Sequence, residues 1–266
     1  MRIDPLQQVE RLDWRRALGI VFGFGAQVLF AFTVCGLFIF LFDSRAASWE
    51  DSANWFVVDS LLALQFAVVH SLMLLPAARS RIAAWLPSSL YGTLFCFATC
   101  GGLWLIFEFW HSSPTVIWQA TGATAIAVRI AFCCSWVALF FSIRLGGLGY
   151  QTGWTQWLYW FRRKPLPRRG LTQHGAYRWL RHPVYLSFLG LIWLTPQMTL
   201  DHALLTGAWT AYIFVGSVLK DRRLEYYLGD EYREYASRVA GYPGMIFGPL
   251  AKWPPLERRE LQRRVA

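Results

Sequence analysis

The sequence RWLRHPVYLSFLGLIWLTPQMTL occupies residues 178–200, where a basic segment runs directly into an apolar one. Its first half contains two arginines, Arg178 and Arg181, followed by His182, a proline and the phenol of Tyr185. A segment that only crosses a membrane needs neither an imidazole nor a phenol at its entrance. The apolar half therefore points to a membrane fold, and the polar half marks the place where we expect the function.

The composition of the chain supports a membrane fold. Of its 266 residues, 55% are apolar and 15 are Trp, and the mean hydropathy is +0.32. Such values are typical of integral membrane proteins, because a soluble domain needs more polar surface. The net charge of +10 comes from basic blocks between the apolar runs. This arrangement favours anionic membrane lipid as a partner and argues against nucleic acid.

Six apolar runs divide the chain into predicted membrane spans. The first four are each near the ~20 residues with which an α-helix crosses a hydrocarbon layer of ~30 Å. The last two are shorter and are separated by only Asp201 and His202, which fits either two tilted spans or a re-entrant helical hairpin. The sequence thus predicts an all-α polytopic membrane helical bundle of five to six spans with cytoplasmic amphipathic helices. The runs are residues 17–42, 55–75, 90–110, 120–143, 183–200 and 203–219.

The distribution of charge predicts the orientation of this bundle. Residues 1–16 carry four arginines, and the run that follows is long enough to span, so we expect a retained first helix. Of the 26 Lys and Arg residues, only Arg45 lies in a predicted outer loop and only Arg129 within a predicted span. The positive-inside rule then predicts a multi-pass protein, of a bacterial inner membrane, with both termini in the cytoplasm. We expect Asp59, near the outer end of the second run, to meet interfacial water.

The character of the sequence changes near residue 150. We divide the chain there into N-terminal membrane helices, residues 1–150, and a C-terminal cofactor-binding and catalytic part, residues 151–266. Trp154, Trp157 and Trp160 recur every three residues, which predicts a helix at the level of the lipid headgroups. The basic segment that follows fits either a headgroup anchor or a lid over a cofactor pocket.

Local signals place the opening motif at the mouth of a helix. Gly175 permits a tight turn, and Pro183 is best tolerated in the first turn of a helix, so His182 lies where the fifth run begins. Free backbone amides and the positive end of the helix dipole suit a carboxylate or phosphate at such a mouth. The pattern of residues 219–239 predicts an amphipathic helix that leaves the membrane. Its acidic residues are expected on the same cytoplasmic face as the N-terminus of the fifth run. Asp221 is the acid nearest to the membrane.

Polar and sulfur-containing side chains within the spans provide two further hypotheses. A buried polar group costs free energy in lipid, so His70 in the second run is a candidate for the wall of an active site. The five cysteines all lie in apolar runs and lack the spacing of a disulfide framework or a zinc site. We therefore predict no metal.

The C-terminal part resembles a known superfamily. RHPVY at residues 181–185, an apolar hairpin and an acidic segment that contains Gly229, Tyr232 and Tyr235 resemble the integral membrane methyltransferases. This superfamily includes isoprenylcysteine carboxyl methyltransferase and the phospholipid N-methyltransferases. The match covers residues 170–240.

A narrower resemblance covers more of the chain. The stretch that begins at His70, the Gln156-Trp157 pair and residues 193–213 look like bacterial methanethiol S-methyltransferases. They are also similar to a related denitrification-associated membrane family.

The resemblance implies S-adenosylmethionine as cofactor, bound at the cytoplasmic end of the last helices, and a set of site residues. Arg181, His182 and Tyr185 are the implied catalytic residues, and His70 and Trp193 are expected to line the site of a small-molecule acceptor. The chain departs from the family at Ser187, where Gly is usual, and at Lys220-Asp221, where a Glu-Glu pair is usual. The implied cofactor-binding residues are Gln156, Gly175, Tyr177, Arg181, His182, Pro183, Tyr185, Asp221, Tyr232 and Tyr235.

These residue types suit methyl transfer. The reaction is an in-line displacement at a sulfonium carbon, so the protein must align the acceptor, exclude water and hold a cation. Aromatic faces stabilise a cation by ~0.5–2 kcal/mol each, and an arginine can pair with a carboxylate. For a thiol acceptor the thiolate is the nucleophile, and His182 or His70 is available to assist deprotonation. A small thiol such as methanethiol is the favoured acceptor, with isoprenylcysteine or a phospholipid as alternatives.

Two other hypotheses stay open at the level of sequence. Membrane sterol reductases carry a similar HPxY element and use NADPH, and the basic residues 162–169 would suit its 2′-phosphate. Alternatively, the chain retains the fold but has lost methyl transfer through the change to Lys220-Asp221.

Overall fold

The structure is a computed structural model that describes residues 14–43, 54–168 and 170–255, and this part of the chain is mostly helical. The basic segment 1–16 lies largely outside the described residues, and the predicted outer-loop residue Arg45 lies outside them entirely. The helices are α1 (Trp14–Asp43), α2 (Trp55–Met73), α3 (Pro76–Ile82), α4 (Tyr91–Phe109), α5 (Gly122–Leu145), α6 (Leu148–Gln151), α7 (Trp154–Phe161), α8 (Pro183–Trp193), α9 (Leu200–Leu228) and α10 (Asp230–Arg238).

Five of the described helices are long and apolar enough to cross a membrane: α1, α2, α4, α5 and α9. A single 3₁₀ turn, Ser88–Leu90, extends α4 at its start. Large apolar side chains such as Val21, Phe32 and Phe141 are more than half exposed, as expected where lipid covers the surface. The prediction of an all-α polytopic membrane bundle is confirmed.

The short helix α8 covers only part of the predicted fifth apolar run. Its 11 residues span about 16 Å at about 1.5 Å per residue, roughly half of a hydrocarbon layer. The helix ends at Trp193 because Pro196 disfavours helical geometry in the residue before it. An extended segment then continues to strand β2 (Gln197–Thr199). The fifth segment is thus a short helix with an extended continuation.

Strand β2 pairs antiparallel with β1 (Val116–Gln119), which lies between α4 and α5. Gln119 faces Gln197, and Trp118 faces Met198. A hydrogen bond from the Ala120 amide to the Pro196 carbonyl, 2.7 Å long, extends the pairing. This two-stranded ribbon joins the loops that precede α5 and α9, and the sequence did not predict it.

The predicted boundaries of the last apolar run and of the exit helix are wrong, because the final long helix extends beyond the run at both ends. Helix α9 has 29 residues, about 43 Å at about 1.5 Å per residue, so it is longer than a hydrocarbon layer is thick. It runs through Asp221 without interruption and ends at Gly229, whose φ of +57° suits glycine. The predicted exit helix, residues 219–239, is therefore two helices with a break between them.

The Trp-rich helix α7 packs against α1 and α4. Trp157 is buried and donates a hydrogen bond of 2.7 Å from Nε1 to the Gly19 carbonyl. Gly19 and Gly23 of α1 are close to Trp160 and Trp157, and a Cβ at either glycine would collide with the facing indole. The helix therefore packs closely against α1, and its position at the level of the lipid headgroups stays a prediction.

Candidate functional site

Arg181 lies at the centre of a buried cluster at one end of the bundle, which we call the motif end. Its guanidinium contacts Asp221 of α9 at 2.9 Å, measured from Nη2 to Oδ2. Nη1 donates hydrogen bonds to the carbonyls of Ala236, Val239 and Ala251 at 3.1, 2.8 and 3.1 Å. Arg181 thus ties the chain after α10 to the end of α9.

These contacts give Arg181 a structural role, and its implied roles in catalysis and cofactor binding stay predictions. The side chain is fully buried, and both terminal nitrogens already contact protein oxygens. Its guanidinium also lies 5.5 Å from the ring centre of Trp253. A charge with this many internal partners is suited to positioning Asp221, while its Nε is buried without a hydrogen-bond partner among the described residues.

His182 is fully buried directly before α8, with Pro183 in the first turn of that helix. Its Nε2 lies 3.0 Å from Oδ1 of Asp221. The ring stacks on Tyr185 with centres 5.5 Å apart, and Tyr242 lies 5.6 Å away on a tilted plane. Burial lowers the pKa of His182, and Asp221 only partly opposes this effect, so the imidazole is neutral near pH 7.

Asp221 is the acid that joins the separate pieces of this cluster. Besides Arg181 and His182, it accepts a hydrogen bond from the phenol of Tyr232 in α10. Burial and the neighbouring carboxylate raise the pKa of Tyr232, so the phenol keeps the proton that it donates. The break at Gly229 lets α10 fold back, which brings Tyr232 to a residue eleven positions earlier in the chain.

Two more tyrosines fix the segment before the cluster. Tyr235 donates a hydrogen bond of 2.6 Å to the carbonyl of Tyr177. Tyr177 is itself buried, and its hydroxyl contacts the Ser142 carbonyl of α5 at 3.4 Å. These contacts give Tyr177 and Tyr235 positioning roles around the motif.

Tyr185 presents its ring to two different neighbours. His182 stacks on it, and Nζ of Lys220 lies 5.0 Å from the ring centre. Arg223, three residues after Lys220 on α9, also interacts electrostatically with Tyr185. Lys220 thus provides a cation over an aromatic face.

His70 of α2 meets α9 on the same side of the bundle. Its Nδ1 is 2.9 Å from the hydroxyl of Tyr212, and its ring is 4.9 Å from that of Phe95. Arg223 interacts electrostatically with both His70 and Tyr212. The polar network at His70 is therefore linked to the surroundings of Tyr185 through α9.

A groove of about 440 Å³ opens beside the cluster. Trp253 lines it, and the same indole contacts Arg181 and packs edge-on against Tyr232. Its wall carries charges of both signs, since Glu225 and Arg233 form an ion pair of 2.9 Å there. The lining residues are Glu225, Arg233, Gly248, Pro249, Lys252, Trp253, Pro254 and Pro255.

Two residues of the cluster were not predicted from the sequence. Tyr242 flanks His182 and contacts Ser217 of α9 through its hydroxyl at 2.6 Å. Gly241 lies so close to His182 that a Cβ would meet the imidazole at 3.2 Å. The signal was the segment GYPG at residues 241–244, a turn sequence that carries an aromatic residue.

Three predicted site residues lie elsewhere in the structure. Gln156 contacts the Tyr150 carbonyl and the start of α4. Gly175 has φ of +60° and faces the side chain of Leu145, so it shapes the turn before the motif. Trp193 is 53% exposed at the far end of α8 and donates to Thr210. The structure therefore does not bring these three to the Asp221 cluster.

A second polar cluster lies at the opposite end of the bundle, which we call the ribbon end because β1 and β2 are there. Asp59 is fully buried and accepts hydrogen bonds from the backbone amide and the ring of His111, at 3.1 and 3.0 Å. Asp201 accepts from Trp110 Nε1 at 3.2 Å and from the Ser113 amide at 3.0 Å. The expectation that Asp59 meets interfacial water is wrong, because the loop after α4 covers it.

Comparison with known proteins supports the resemblance. Residues 60–251 match the family described as NnrU protein. Methanethiol S-methyltransferase 1 of Bradyrhizobium diazoefficiens is 34% identical over 71% of this chain and 67% of its own length. Methanethiol S-methyltransferase of Mycobacterium tuberculosis is 31% identical over 69% of this chain and 76% of its own length.

A eukaryotic relative is more distant. Nurim of Rattus norvegicus is 28% identical over 63% of this chain and 67% of its own length. No solved structure matches the chain. The resemblance to the membrane methyltransferases is confirmed, and the chain, which is similar to proteins named methanethiol S-methyltransferase, belongs to the NnrU family.

Proposed function

We propose that the protein is an S-adenosylmethionine-dependent thiol S-methyltransferase of the membrane, with methanethiol as the favoured acceptor and dimethyl sulfide as the product. The observation that carries the proposal is the buried cluster in which the RHPVY motif, α9 and α10 meet at Asp221. The relatives named methanethiol S-methyltransferase support the same class of reaction.

The residues at the motif end fit such a cofactor. Among the described residues, Nδ1 of His182 is buried and has no hydrogen-bond partner, which leaves a polar atom available to a bound molecule. The adjoining groove combines an indole with charges of both signs, as a zwitterionic nucleoside requires. Trp253 would hold the purine, Glu225 the ribose hydroxyls, and Lys252 the carboxylate. When bound, S-adenosylmethionine supplies an electrophilic methyl group on a sulfonium.

The protein's part in the reaction is to position groups and to exclude water. Arg181 and Tyr232 hold Asp221, and Asp221 holds His182 against Tyr185. The rings of Tyr185 and Tyr242 offer aromatic faces beside His182, and such faces stabilise a neighbouring cation by ~0.5–2 kcal/mol. A fixed and dry arrangement of this kind lowers the barrier of an in-line displacement through orientation.

The acceptor would approach from the side of α2. His70 and Tyr212 form a polar contact between α2 and α9, enclosed by Phe66 and Phe95. These aromatic walls suit a small apolar thiol, and we assign His70 to the wall of the acceptor site. Trp193 is more than half exposed and donates a hydrogen bond to Thr210 of α9, and its place in that wall stays a prediction.

The orientation in the membrane is a further part of the proposal. Arg79 and Arg81 on α3, Arg144 at the end of α5 and residues 162–168 after α7 are basic and follow spans that lead to the motif end. By the positive-inside rule, the motif end then faces the cytoplasm of a bacterial inner membrane. The cofactor would reach the groove from that compartment.

A direct assay tests the proposal. Protein purified in detergent is incubated with methanethiol and S-adenosylmethionine that carries a deuterated methyl group, and the headspace is analysed for labelled dimethyl sulfide. We expect label in the product, and none with the variant Trp253→Ala, whereas the exposed control Trp85→Ala keeps the activity. Labelled product from Trp253→Ala at the wild-type rate would contradict the assignment of the groove, and a lack of label with wild-type protein would contradict the activity.

A further inference from the structure

An apolar loop follows α10, and the proposed function does not use its tip. Residues 239–251 carry no formal charge, although charged residues directly precede and follow them. The amide of Gly241 donates a hydrogen bond of 2.7 Å to the carbonyl of Leu250, so the two ends of this segment meet. We call residues 241–250 the apolar loop.

The tip of the apolar loop exposes two large apolar side chains. Ile246 is 75% exposed, and Phe247 is 83% exposed. Gly244 and Gly248 lie on either side of this pair, and their φ values of +73° and +81° suit glycine. Neighbouring apolar side chains with this much exposure indicate contact with a protein partner or a membrane.

Contacts with α9 show how deep the first part of the loop reaches. Lys220 is the first charged residue of α9 after Asp201, so the hydrocarbon layer ends near Lys220. The ring of Tyr242 lies 5.2 Å from that of Phe214, and its hydroxyl contacts Ser217 at 2.6 Å. Phe214 and Ser217 lie about 9 Å and about 4.5 Å before Lys220, at about 1.5 Å per residue. The side chain of Tyr242 therefore reaches the apolar level of the span.

The last part of the loop lies at the level of charged side chains. Gly248 lines the groove together with Glu225, which is about 7.5 Å beyond the first charged residue of the span, at about 1.5 Å per residue. Met245, in contrast, packs against the apolar core of the bundle. The two exposed side chains come between Met245 and Gly248 in the chain. Their position is thus near the boundary between hydrocarbon and headgroups.

The ends of the loop are hydrogen-bonded to the motif. The amide of Arg181 donates to the carbonyl of Ala240 at 2.9 Å, and the amide of His182 donates to the carbonyl of Gly241 at 3.3 Å. The guanidinium of Arg181 donates to the carbonyl of Ala251 at 3.1 Å. Fixing the tip would therefore restrict the opening of these hydrogen bonds.

We propose that the apolar loop is a membrane anchor, with Ile246 and Phe247 inserted among the lipids, and that this anchor holds residues 181–182 in place. The lipid bilayer is the favoured occupant because the tip lies at the level where the spans meet the headgroups. Lys252, which is exposed directly after the loop, suits anionic headgroups at that level. The anchor does not depend on the reaction that the protein catalyses.

Photochemical crosslinking tests the contact with lipid. Phe247 is replaced by p-benzoylphenylalanine in protein reconstituted in nanodiscs of phosphatidylethanolamine and phosphatidylglycerol, and mass spectrometry of the irradiated protein quantifies adducts with one phospholipid. The same replacement at Phe141, which is exposed on the span α5, gives the lipid reference. Replacement at Glu234, which is exposed on the charged helix α10, gives the water reference. We expect the lipid adduct at position 247 within about threefold of that at 141 and at least about tenfold above that at 234.

Hydrogen exchange tests the hold on the motif. Exchange is followed in the same nanodiscs by mass spectrometry of the peptide that contains the amides of Arg181 and His182. Phe247→Ser removes the apolar contact, and we expect exchange in this peptide to become about tenfold faster. Trp85→Ser removes an equally exposed aromatic side chain from the turn after α3 and should leave the exchange within about twofold of wild type.

Three results would contradict the anchor. Lipid adducts at position 247 that are no more frequent than at 234 would place the tip in water. Adducts at 247 mainly with a second copy of the chain would show that protein covers the tip. Unchanged exchange in Phe247→Ser, with the circular dichroism spectrum of wild type, would show that the tip does not hold residues 181–182. Each measurement is made without methyl transfer, so its result is independent of the proposed function.

Discussion

The two ends of the bundle both bury carboxylates, but they neutralise them differently. At the motif end, Asp221 faces a guanidinium, an imidazole and a phenol that come from three separate segments. At the ribbon end, Asp59 and Asp201 accept hydrogen bonds from the loop that follows α4. One arrangement concentrates charged and titratable groups, and the other closes a loop over the end of the helices.

This difference shows which buried acid points to function. The partners of the ribbon-end carboxylates are backbone amides, an indole and the His111 ring, and all of them come from the end of α4 and the loop that follows it. A carboxylate that holds an arginine and a histidine beside aromatic faces fixes groups that a ligand can use. The ribbon end is therefore an internal control for every substitution at the motif end.

The largest contrast is expected between Asp221→Asn and Asp201→Asn. The first substitution leaves the buried Arg181 without a counter-ion, which costs about 3–5 kcal/mol, and it should reduce methyl transfer by at least about 100-fold. In the second, Trp110 and the Ser113 amide bind different oxygens of Asp201, and the amide oxygen of Asn can keep one of these two hydrogen bonds, so the loss should be about 1–3 kcal/mol. Unfolding in SDS followed by circular dichroism, together with the methyl-transfer assay, measures both. Equal losses would mean that the two ends are equivalent.

The second contrast concerns pH and His182. Because burial lowers its pKa in the folded state, the neutral imidazole stabilises the protein above the unfolded pKa of ~6.5, and this stability is lost as the pH falls below that value. Between pH 7.5 and pH 5.5, wild-type protein should lose up to about 1.4 kcal/mol relative to His182→Gln.

The exposed His174 supplies the control for this experiment. His174→Gln should follow the wild-type curve, since this variant keeps every buried histidine of the wild-type protein. A parallel pH dependence of wild type and His182→Gln would show that burial does not lower the pKa of His182 in the folded protein.

A third contrast tests the turn that brings Tyr232 back to Asp221. Gly229 has φ of +57° and ψ of −129°, and a Cβ at this position would have no neighbour within 4 Å, so Gly229→Ala meets backbone strain without a clash. We expect a loss of about 1–3 kcal/mol. Gly207 lies in the interior of α9 with equally open space, and Gly207→Ala should stabilise the helix by about 0.5–1 kcal/mol. A neutral Gly229→Ala would show that the break in α9 is tolerant.

The sequence could predict the spans and the motif but not the way in which they are joined. Apolar runs of about 20 residues predict α1, α2, α4 and α5, because a lipid layer leaves a helix little alternative. The length of α9 was missed, since charged residues after Leu219 end the apolar run while the helix itself continues. The ribbon was missed because its strands are only four and three residues long and have 77 residues between them.

The parts of the site that depend on local sequence could be predicted. Pro183 fixes the start of α8 and so the position of His182, and both are visible in the motif. The roles of Arg181 and Tyr242 depend on a chain segment that returns 60 residues later, which no local pattern reveals.

The smallest contrast compares Asp59 with Asp221 at the level of function. Asp59→Asn keeps an oxygen that can accept from the amide of His111, so we expect a loss of only about 0.5–1.5 kcal/mol. Methyl transfer should remain within about twofold of wild type when the assay is run well below the unfolding transition. The two measurements are the SDS unfolding curve and the initial rate of labelled dimethyl sulfide formation. A large drop in rate with normal stability would mean that the ribbon end takes part in the reaction, because the carboxylate would then act through its charge and not through the loop that it closes.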